Sequence, residues 1–199
     1  MRNQEDRRVL RTRKMLFDAL IDLMIEKGYE AVTVQDIIDR ADVGRSTFYA
    51  HYYDKEQLLL ANIKQLRAHL IERTAAPPPD EPEDARFRFS LVMLRHVEQN
   101  ERLYHAVVGK QSGTAVMQHM RTMLAEVARE EIDRLLARGE LPVPGEVATE
   151  FVVGTFLTVL SWRMERRERP NAEECDRLFH RLVFAGLSCG ADEGAAPPR

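Results

Sequence analysis

Apolar side chains recur along this chain at intervals of three and four residues, which is the spacing of one face of an α-helix. The apolar positions between Thr12 and Lys27 are Leu16, Leu20, Leu23 and Met24. Gly28 follows them as a residue that ends helices well. Since no stretch alternates apolar and polar residues as a half-buried strand would, the pattern predicts an all-α protein.

Capping signals mark three short helical segments that follow this first helix. Thr33 is a good N-cap, and Asp36 stands at the third helical position, which approximates a capping box. Gly44 is suited to begin the next helix, and Asp54 caps another, with Gln57 in its box position. Apolar pairs flank each cap as hydrophobic staples: Val32 with Ile37, Val43 with Phe48, and Tyr53 with Leu58. The staples favour a rigid small bundle.

The segment between residues 33 and 52 has the arrangement of a helix-turn-helix. Its first helix ends near Ala41 and its second covers about Arg45–Tyr52, with Val43 and Gly44 in the turn. In such a motif the second helix enters the major groove of DNA. Val43 and Phe48 would point inward, which leaves hydrogen-bonding side chains outside: Arg45, Ser46, Thr47, Tyr49 and His51. The alternative is a helical hairpin in a core, with ordinary surface residues.

The C-terminal part of the chain is a larger helical region. The fourth helix continues to about Arg73, and the Pro-rich stretch after it cannot be helical. Further helices are predicted at about 84–99, 101–109, 113–138, 146–167 and 172–188. The predicted division is a helix-turn-helix domain at 1–58 with a basic arm at 1–14, a connecting helix at 59–74, a Pro-rich loop at 75–83, a helical domain at 84–188 and a disordered tail at 189–199.

Charge and composition change this picture only at the N-terminus. The 199 residues carry a net charge of −3, yet six of the first 14 are basic and two are acidic. A basic arm on an acidic protein is compatible with nucleic-acid contact at one end.

The uncharged run at 151–162 is too short to span a bilayer, and no signal peptide is visible. Cys175 and Cys189 lack metal-ligand spacing, which favours a reducing cytoplasm, and no histidine pair predicts a metal or cofactor.

Residues at fixed spacings between Leu16 and Leu58 carry a family resemblance. They are Ala19, Leu23, Met24, Lys27-Gly28-Tyr29, Thr33-Val34, Ile37, Ala41, Val43, Thr47, Tyr49, His51-Tyr52, Lys55-Glu56 and Leu58. With them the segment resembles the N-terminal domain of the TetR/AcrR family of bacterial transcriptional regulators. Two positions depart from the family pattern: Asp42 stands where glycine is common, and Gly44 stands where serine is the usual cap. Asp42 tolerates the left-handed conformation but adds negative charge near the expected DNA.

The resemblance implies a role for each matching polar residue. Thr33 would hold a phosphate at the start of the second helix, where free amides and the helix dipole also favour an anion. Tyr49 and His51 would contact the DNA backbone, and Lys55 would neutralise a phosphate. The side chains nearest the bases would be Arg45, Ser46 and Thr47.

The resemblance also implies a C-terminal domain that binds a small apolar effector and forms a homodimer. Candidate pocket residues are Phe87, Met93, Tyr104, His105, Met117, Met120 and Leu124. Candidate interface residues on the last two helices are Phe151, Gly154, Thr158, Trp162, Phe179 and Val183. For both sets the alternative is ordinary packing within the chain's own core.

The function expected from these patterns is a ligand-responsive repressor that binds a palindromic DNA operator as a dimer. An activator of the same fold is an alternative, because the sign of regulation depends on where the operator lies. A coactivator that has lost DNA binding is another, against which the intact Thr33, Thr47, Tyr49, His51 and Lys55 argue. An all-helical enzyme is disfavoured, because the sequence has no nucleophile–base motif, glycine-rich phosphate loop or paired metal ligands.

Overall fold

The computed structural model describes residues 2–75, 86–108 and 113–188. In these residues the chain forms nine α-helices and no β-strand, so the all-α prediction is confirmed. The helices are α1 (Arg2–Lys27), α2 (Val34–Ala41), α3 (Arg45–Tyr49), α4 (Lys55–Ala75), α5 (Phe89–Gln99), α6 (Glu101–Val108), α7 (Gly113–Ala137), α8 (Gly145–Glu165) and α9 (Ala172–Ser188). None of the helices within the described residues is long and apolar enough to cross a membrane.

The helices group into two compact units. Unit 1 comprises residues 1–66 and 101–120, and unit 2 comprises residues 67–100 and 121–199. Helices α4 and α7 therefore each contribute residues to both units. The grouping places α6 with the N-terminal helices, whereas the sequence pattern assigned residues 101–109 to the C-terminal region.

Three predicted helix limits differ from the structure. The helix predicted at about 84–99 begins at Phe89, because the left-handed Phe87 interrupts a helical start before it. Helix α1 begins at Arg2, well before Thr12, because the intervening polar residues favour a helix without showing an apolar face. Helix α3 ends at Tyr49 and not at Tyr52, because the His51 N–H bonds to the Phe48 carbonyl in a tighter turn (2.9 Å). The Pro-rich stretch from residue 76 and the tail from 189 lie outside the described residues.

Unit 1 is held by an apolar core between its helices. Helix α1 packs against α2 and α6. The predicted inner face of α1 is confirmed, since Leu16, Leu20 and Met24 have no exposed surface. Ile37 of α2 and Phe48 of α3 are also fully buried. Each such side chain contributes about 1.5–3 kcal/mol of hydrophobic stabilisation.

Unit 2 is centred on four phenylalanine rings from α5, α8, α9 and the turn before α5. The ring centroids of Phe89 and Phe156 lie 5.6 Å apart, and those of Phe156 and Phe179 lie 5.7 Å apart. The ring of Phe87 meets that of Phe179 edge-on at 6.3 Å. Edge-on aromatic pairs add about 0.5–1.5 kcal/mol each beyond burial, so this cluster is a major stabilising feature of unit 2.

The turn before α5 has an unusual backbone at Phe87. Its φ of 51° is left-handed, which is uncommon for a bulky side chain. The Phe87 N–H donates to the Glu131 carboxylate of α7 at 2.7 Å, and its carbonyl accepts from the Ser90 hydroxyl at 2.8 Å. Burial raises the pKa of Glu131. Contacts from other elements thus hold Phe87 in a conformation that its own side chain disfavours.

His180 links the same turn to helix α9 within unit 2. Its Nδ1 lies 3.0 Å from the Asp176 carbonyl, and its Nε2 lies 2.8 Å from the Arg86 carbonyl. Burial lowers the pKa of His180, but hydrogen bonds to Asp176 and Arg86 outweigh it and raise the pKa to about 9. Since the imidazolium has two N–H donors and both ring nitrogens face oxygen atoms, the charged form fits this position better than the neutral form.

Candidate nucleic-acid interface

The connection between α2 and α3 turns sharply at Asp42, whose φ and ψ are 51° and 49°. The Val43 N–H donates to the Ile38 carbonyl (3.2 Å), and the Asp42 N–H donates to the Asp39 carbonyl (3.4 Å). These two bonds form a Schellman motif, in which glycine usually occupies the left-handed position. Asp42 thus adopts the left-handed conformation that the sequence analysis expects it to tolerate. The motif fixes the direction in which the chain leaves α2 and enters α3.

Helix α3 is anchored on one side and open on the other. Phe48 has no exposed surface, and the Gly44 carbonyl starts the helix by accepting the N–H groups of Thr47 (2.9 Å) and Phe48 (3.1 Å). The opposite side carries the predicted outer residues: Arg45 and Ser46 are exposed, Tyr49 is 44% exposed, and Thr47 and His51 are half-buried. The structure thus brings these five side chains together on α3 and the turn that follows it.

Arg45 and Tyr49 interact one helical turn apart on the open side of α3. The Arg45 guanidinium lies 5.7 Å from the centroid of the Tyr49 ring. This cation–π contact aligns the guanidinium along the helix surface. A guanidinium in that place offers several N–H donors in a planar fork, which suits a guanine edge or a phosphate.

The N-terminus of α2 is closed by its own side chains. The Asp36 carboxylate accepts the Thr33 N–H at 2.7 Å and the Thr33 hydroxyl at 2.6 Å, and the Lys27 ammonium lies 2.7 Å from it. These contacts, with Lys27 the strongest, hold the pKa of Asp36 well below its usual range. The Asp36 N–H in turn reaches the Thr33 hydroxyl, which confirms the predicted capping box. A phosphate arriving at the exposed Thr33 would therefore compete with Asp36.

Lys55 occupies a place that the sequence pattern did not predict. Its ammonium donates to three backbone carbonyls of the loop between α1 and α2: Tyr29 at 2.8 Å, Glu30 at 3.1 Å and Val32 at 2.8 Å. It also lies 4.5 Å from the centroid of the Tyr29 ring. Burial and nearby carboxylates raise the pKa of Tyr29 to about 12. No local signal could reveal these contacts, because Lys55 is 23–26 residues away from its acceptors.

The loop between α3 and α4 exposes an aromatic side chain. Asp54 caps α4 as predicted, because its carboxylate accepts the Gln57 N–H at 2.7 Å. The predicted staple of Tyr53 with Leu58 is wrong, since Tyr53 is 79% exposed while Leu58 is fully buried. The Tyr53 N–H donates to the Gln57 side chain at 2.6 Å, so the backbone of Tyr53 is tied to α4 while its ring lies in solvent. Sequence reasoning thus missed Tyr53 as a surface aromatic beside the helix-turn-helix.

Residues 16–61 match the model of the bacterial regulatory proteins of the tetR family. This N-terminal segment of the chain is therefore a domain of the TetR-family type. The resemblance stated from the sequence is confirmed, and the matched segment contains the whole of α2 and α3, the turn between them and the start of α4.

Individual TetR-family relatives extend the likeness unevenly. The chain is 42% identical over 80 residues to the HTH-type transcriptional regulator YxbF of Bacillus subtilis, a match that covers 39% of this chain and 21% of YxbF. It is 33% identical over 70 residues to the transcriptional repressor KstR of Rhodococcus jostii, covering 35% of this chain and 33% of KstR. The matched part of the chain thus spans only about a fifth to a third of these two relatives.

One solved structure matches almost the whole chain. The crystal structure of a TetR transcriptional regulator from Streptococcus agalactiae superimposes with a TM-score of 0.65 and 26% identity, covering 92% of this chain and 99% of that one. The TetR-family architecture, an N-terminal helix-turn-helix followed by a helical C-terminal region, therefore describes this chain.

The predicted effector-pocket residues do not gather within one unit of the chain. Phe87, Met93 and Leu124 are buried in unit 2. The others belong to unit 1, where Tyr104 and Met120 are buried, Met117 is half-buried and His105 is exposed. A different cavity of about 270 Å³ in unit 2 lies between α4, α7 and the start of α5, and Ile71, Phe89, Val127, Arg88, Glu131 and Arg134 contribute to its lining. Among the described residues, no group of three His, Cys, Asp or Glu is placed to hold a metal.

The predicted interface residues divide into two sets. Phe179 and Val183 have no exposed surface and belong to the core of unit 2, so their side chains are not available to a partner. The other four lie on the outer side of α8: Phe151 is 38% exposed, Thr158 is exposed, and Gly154 and Trp162 are half-buried. A Cβ built on Gly154 would meet no atom of the described residues within 4 Å. The surface of α8 around Gly154 is therefore open to another backbone.

Proposed function

We propose that the chain binds duplex DNA through the segment from Thr33 to His51 and represses transcription as a ligand-responsive homodimer on a palindromic operator. One observation carries the proposal. Helix α3 is anchored in unit 1 by the fully buried Phe48, while its opposite side presents Arg45, Ser46 and Tyr49 to solvent. Such a short helix with an open polar face is suited to the major groove.

The proposal assigns two kinds of contact. Arg45, Ser46 and Thr47 lie at the start of α3 and read base edges, for which an Arg fork on guanine and a Thr methyl on thymine are suitable pairings. Thr33, Tyr49 and His51 hold phosphates and thereby fix the register on the duplex. The basic residues in the first half of α1, among them the exposed Arg7, Arg8, Arg11 and Arg13, add sequence-independent attraction.

Selection of duplexes from a random library by the purified protein tests this assignment. We expect an enriched palindrome. Arg45→Ala should then lower affinity for it about tenfold or more and relax preference at one base pair per half-site, because a bidentate base contact is worth about 1–3 kcal/mol. Arg73→Ala, an exposed arginine near the far end of α4, is the matched control and should bind as the wild type does. No enrichment, or wild-type preference in Arg45→Ala, would contradict the proposal.

The homodimer is proposed through the open surface of α8. Phe151 and Trp162 supply apolar contact there, and Gly154 and Thr158 allow a second helix to approach closely. Gly154→Leu should convert a dimer to a monomer at micromolar concentration in sedimentation, while its helical content is retained. Arg129→Leu, at an exposed site on α7, is the control and should stay dimeric. A wild-type protein that sediments as a monomer would exclude this interface.

Release from DNA by a mostly apolar small molecule is the third part of the proposal. Two DNA-binding heads must lie about 34 Å apart to use successive major-groove faces, so a ligand that favours another spacing weakens binding without touching DNA. Helices α4 and α7 contribute to both units and are the elements through which such a change passes. The predicted pocket residues Phe87, Met93, Tyr104, His105, Met117, Met120 and Leu124 are the first set to mutate once a binder is known.

A binder found by thermal-shift screening tests the regulatory part. Operator titrated at saturating ligand should show a loss of affinity, and DNA should lower ligand affinity by the same factor. We propose repression and not activation because the chain is similar to the repressor KstR. A reporter gene placed behind the enriched palindrome checks the sign of regulation. The proposal places the protein in the cytoplasm and assigns it no enzymatic activity.

A further inference from the structure

Lys55 lies at a helix position that is unfavourable for a positive charge. It is the first residue of α4, where the positive end of the helix dipole disfavours a cation. The helix dipole and capping therefore give no reason for a charged ammonium there. The reason has to lie in what its ammonium contacts.

The ammonium is fully engaged within unit 1. An ammonium has three N–H donors and no acceptor. The three acceptors of Lys55 are the carbonyls of Tyr29 (2.8 Å), Glu30 (3.1 Å) and Val32 (2.8 Å). The Tyr29 ring, which is 4% exposed, lies against the same charge. A DNA phosphate could gain one of these donors only by displacing a carbonyl.

These carbonyls belong to the loop that positions α2. The loop starts at Gly28, in the left-handed conformation, and ends at Thr33, the N-cap of α2. Val32, one of the three acceptors, immediately precedes Thr33, and its side chain is buried. The Lys55 contacts thus tie the first residue of α4 to the residue before the start of α2.

We propose that Lys55 is a positioning residue for DNA binding: its ammonium closes the loop between α1 and α2 and thereby sets where Thr33 and α2 begin. The inference rests on the proposed function for its effect on DNA. Its structural half, the closed loop, does not depend on DNA. The competing role, which the family resemblance implies, is a direct ion pair between Lys55 and a phosphate.

Three variants separate the two roles. Lys55→Met removes the charge and the donors but keeps an unbranched side chain of nearly the same length. Lys55→Arg keeps the charge and is a better phosphate ligand, yet its planar guanidinium cannot converge on three carbonyls as an ammonium does. Lys64→Met is the matched control, because it removes an exposed lysine of α4 within the same unit.

The first two measurements need no DNA. For both Lys55→Met and Lys55→Arg we expect the melting temperature to fall by about 4–8 °C, since charge-assisted hydrogen bonds to the loop are lost. Amide hydrogen exchange should accelerate by about tenfold or more within residues 29–36. Lys64→Met should match the wild type in both. Wild-type melting and exchange in the Lys55 variants would overturn the inference.

The third measurement is affinity for the duplex enriched by the wild-type protein, over a series of salt concentrations. We expect both Lys55 variants to bind about tenfold or more weakly, with a salt slope close to that of the wild type. A direct phosphate contact predicts instead that Lys55→Arg binds like the wild type and that Lys55→Met lowers the slope by about 0.9. That result would overturn the positioning role.

The inference stays testable if one variant fails to fold or if no duplex is enriched. If Lys55→Met does not fold, Lys55→Arg carries the same three measurements. If the wild-type protein enriches no duplex, the proposed function fails, while melting and exchange still decide whether Lys55 closes the loop.

Discussion

The two units differ in how far apart along the chain their decisive contacts lie. In unit 1 the capping box joins Thr33 to Asp36, three residues away, and the turn at Asp42 is closed by neighbouring carbonyls of α2. In unit 2 the turn at Phe87 is held by Glu131, 44 positions later, and the adjacent Arg86 carbonyl is held by His180, 94 positions later. Apart from the Lys55 contacts to the loop before α2, the helix-turn-helix therefore draws its shape from neighbouring residues, whereas the turn at Phe87 in unit 2 depends on contacts with distant helices.

This contrast bears on how each unit tolerates change. Local contacts can re-form as soon as their own segment is helical, so most single substitutions in unit 1 outside its core and away from Lys55 should alter the helix-turn-helix only slightly. The Phe87 turn is not stabilised by local contacts alone. Its left-handed phenylalanine persists only while contacts from α7 and α9 hold it.

The largest expected effect comes from removing one core ring in each unit. Phe48→Ala and Phe179→Ala should each lower the free energy of unfolding by about 3–5 kcal/mol, since both rings are fully buried. Hydrogen exchange should accelerate mainly in unit 1 for Phe48→Ala and mainly in unit 2 for Phe179→Ala. Tyr53→Ala, which removes an exposed ring, is the control and should change stability by less than about 0.5 kcal/mol. Equal acceleration in both units for either core variant would break the comparison.

A smaller effect, confined to unit 2, should follow from the titration of His180. Its folded-state pKa of about 9 lies above the unfolded value, so its stabilisation is complete below about pH 6.5 and is lost as pH rises through 9. We expect a loss of about 2 kcal/mol over this interval, after allowing for the partial exposure of the ring. His180→Gln should remove this step from the dependence of urea unfolding on pH. His105→Gln on α6 should retain it, and a step that survives in His180→Gln would assign it to another group.

The smallest effect concerns the turn at Asp42 in unit 1. Asp42→Gly should raise the free energy of unfolding by about 0.5–1 kcal/mol, because glycine adopts a φ of 51° without steric cost. Asp42→Asn keeps the tendency towards the left-handed conformation and should leave stability within about 0.3 kcal/mol. Both variants remove a negative charge next to α3 and should strengthen binding of the enriched duplex a few-fold. Weaker binding by Asp42→Asn would show that the carboxylate supports the head.

The same contrast explains what could be predicted from the sequence. The caps at Thr33 and Asp54 are properties of a few adjacent residues, and they were predicted correctly. The contacts of Lys55 join segments more than twenty residues apart, and nothing in the local pattern of α4 encodes them. Phe179 and Val183 were read as interface residues because an apolar helical face does not say whether it packs inside its own unit or against a second copy. Only the position of α9 in unit 2 settles that point.

The contact between Gly186 of α9 and Phe151 of α8 constrains the order in which these two positions can change. A Cβ built on Gly186 would lie 2.3 Å from Cζ of the Phe151 ring. Alanine at position 186 therefore requires the Phe151 ring to move, and it fits without that movement once position 151 carries a smaller side chain. The two positions form an epistatic pair, because the cost of replacing the glycine depends on the size of the side chain at position 151.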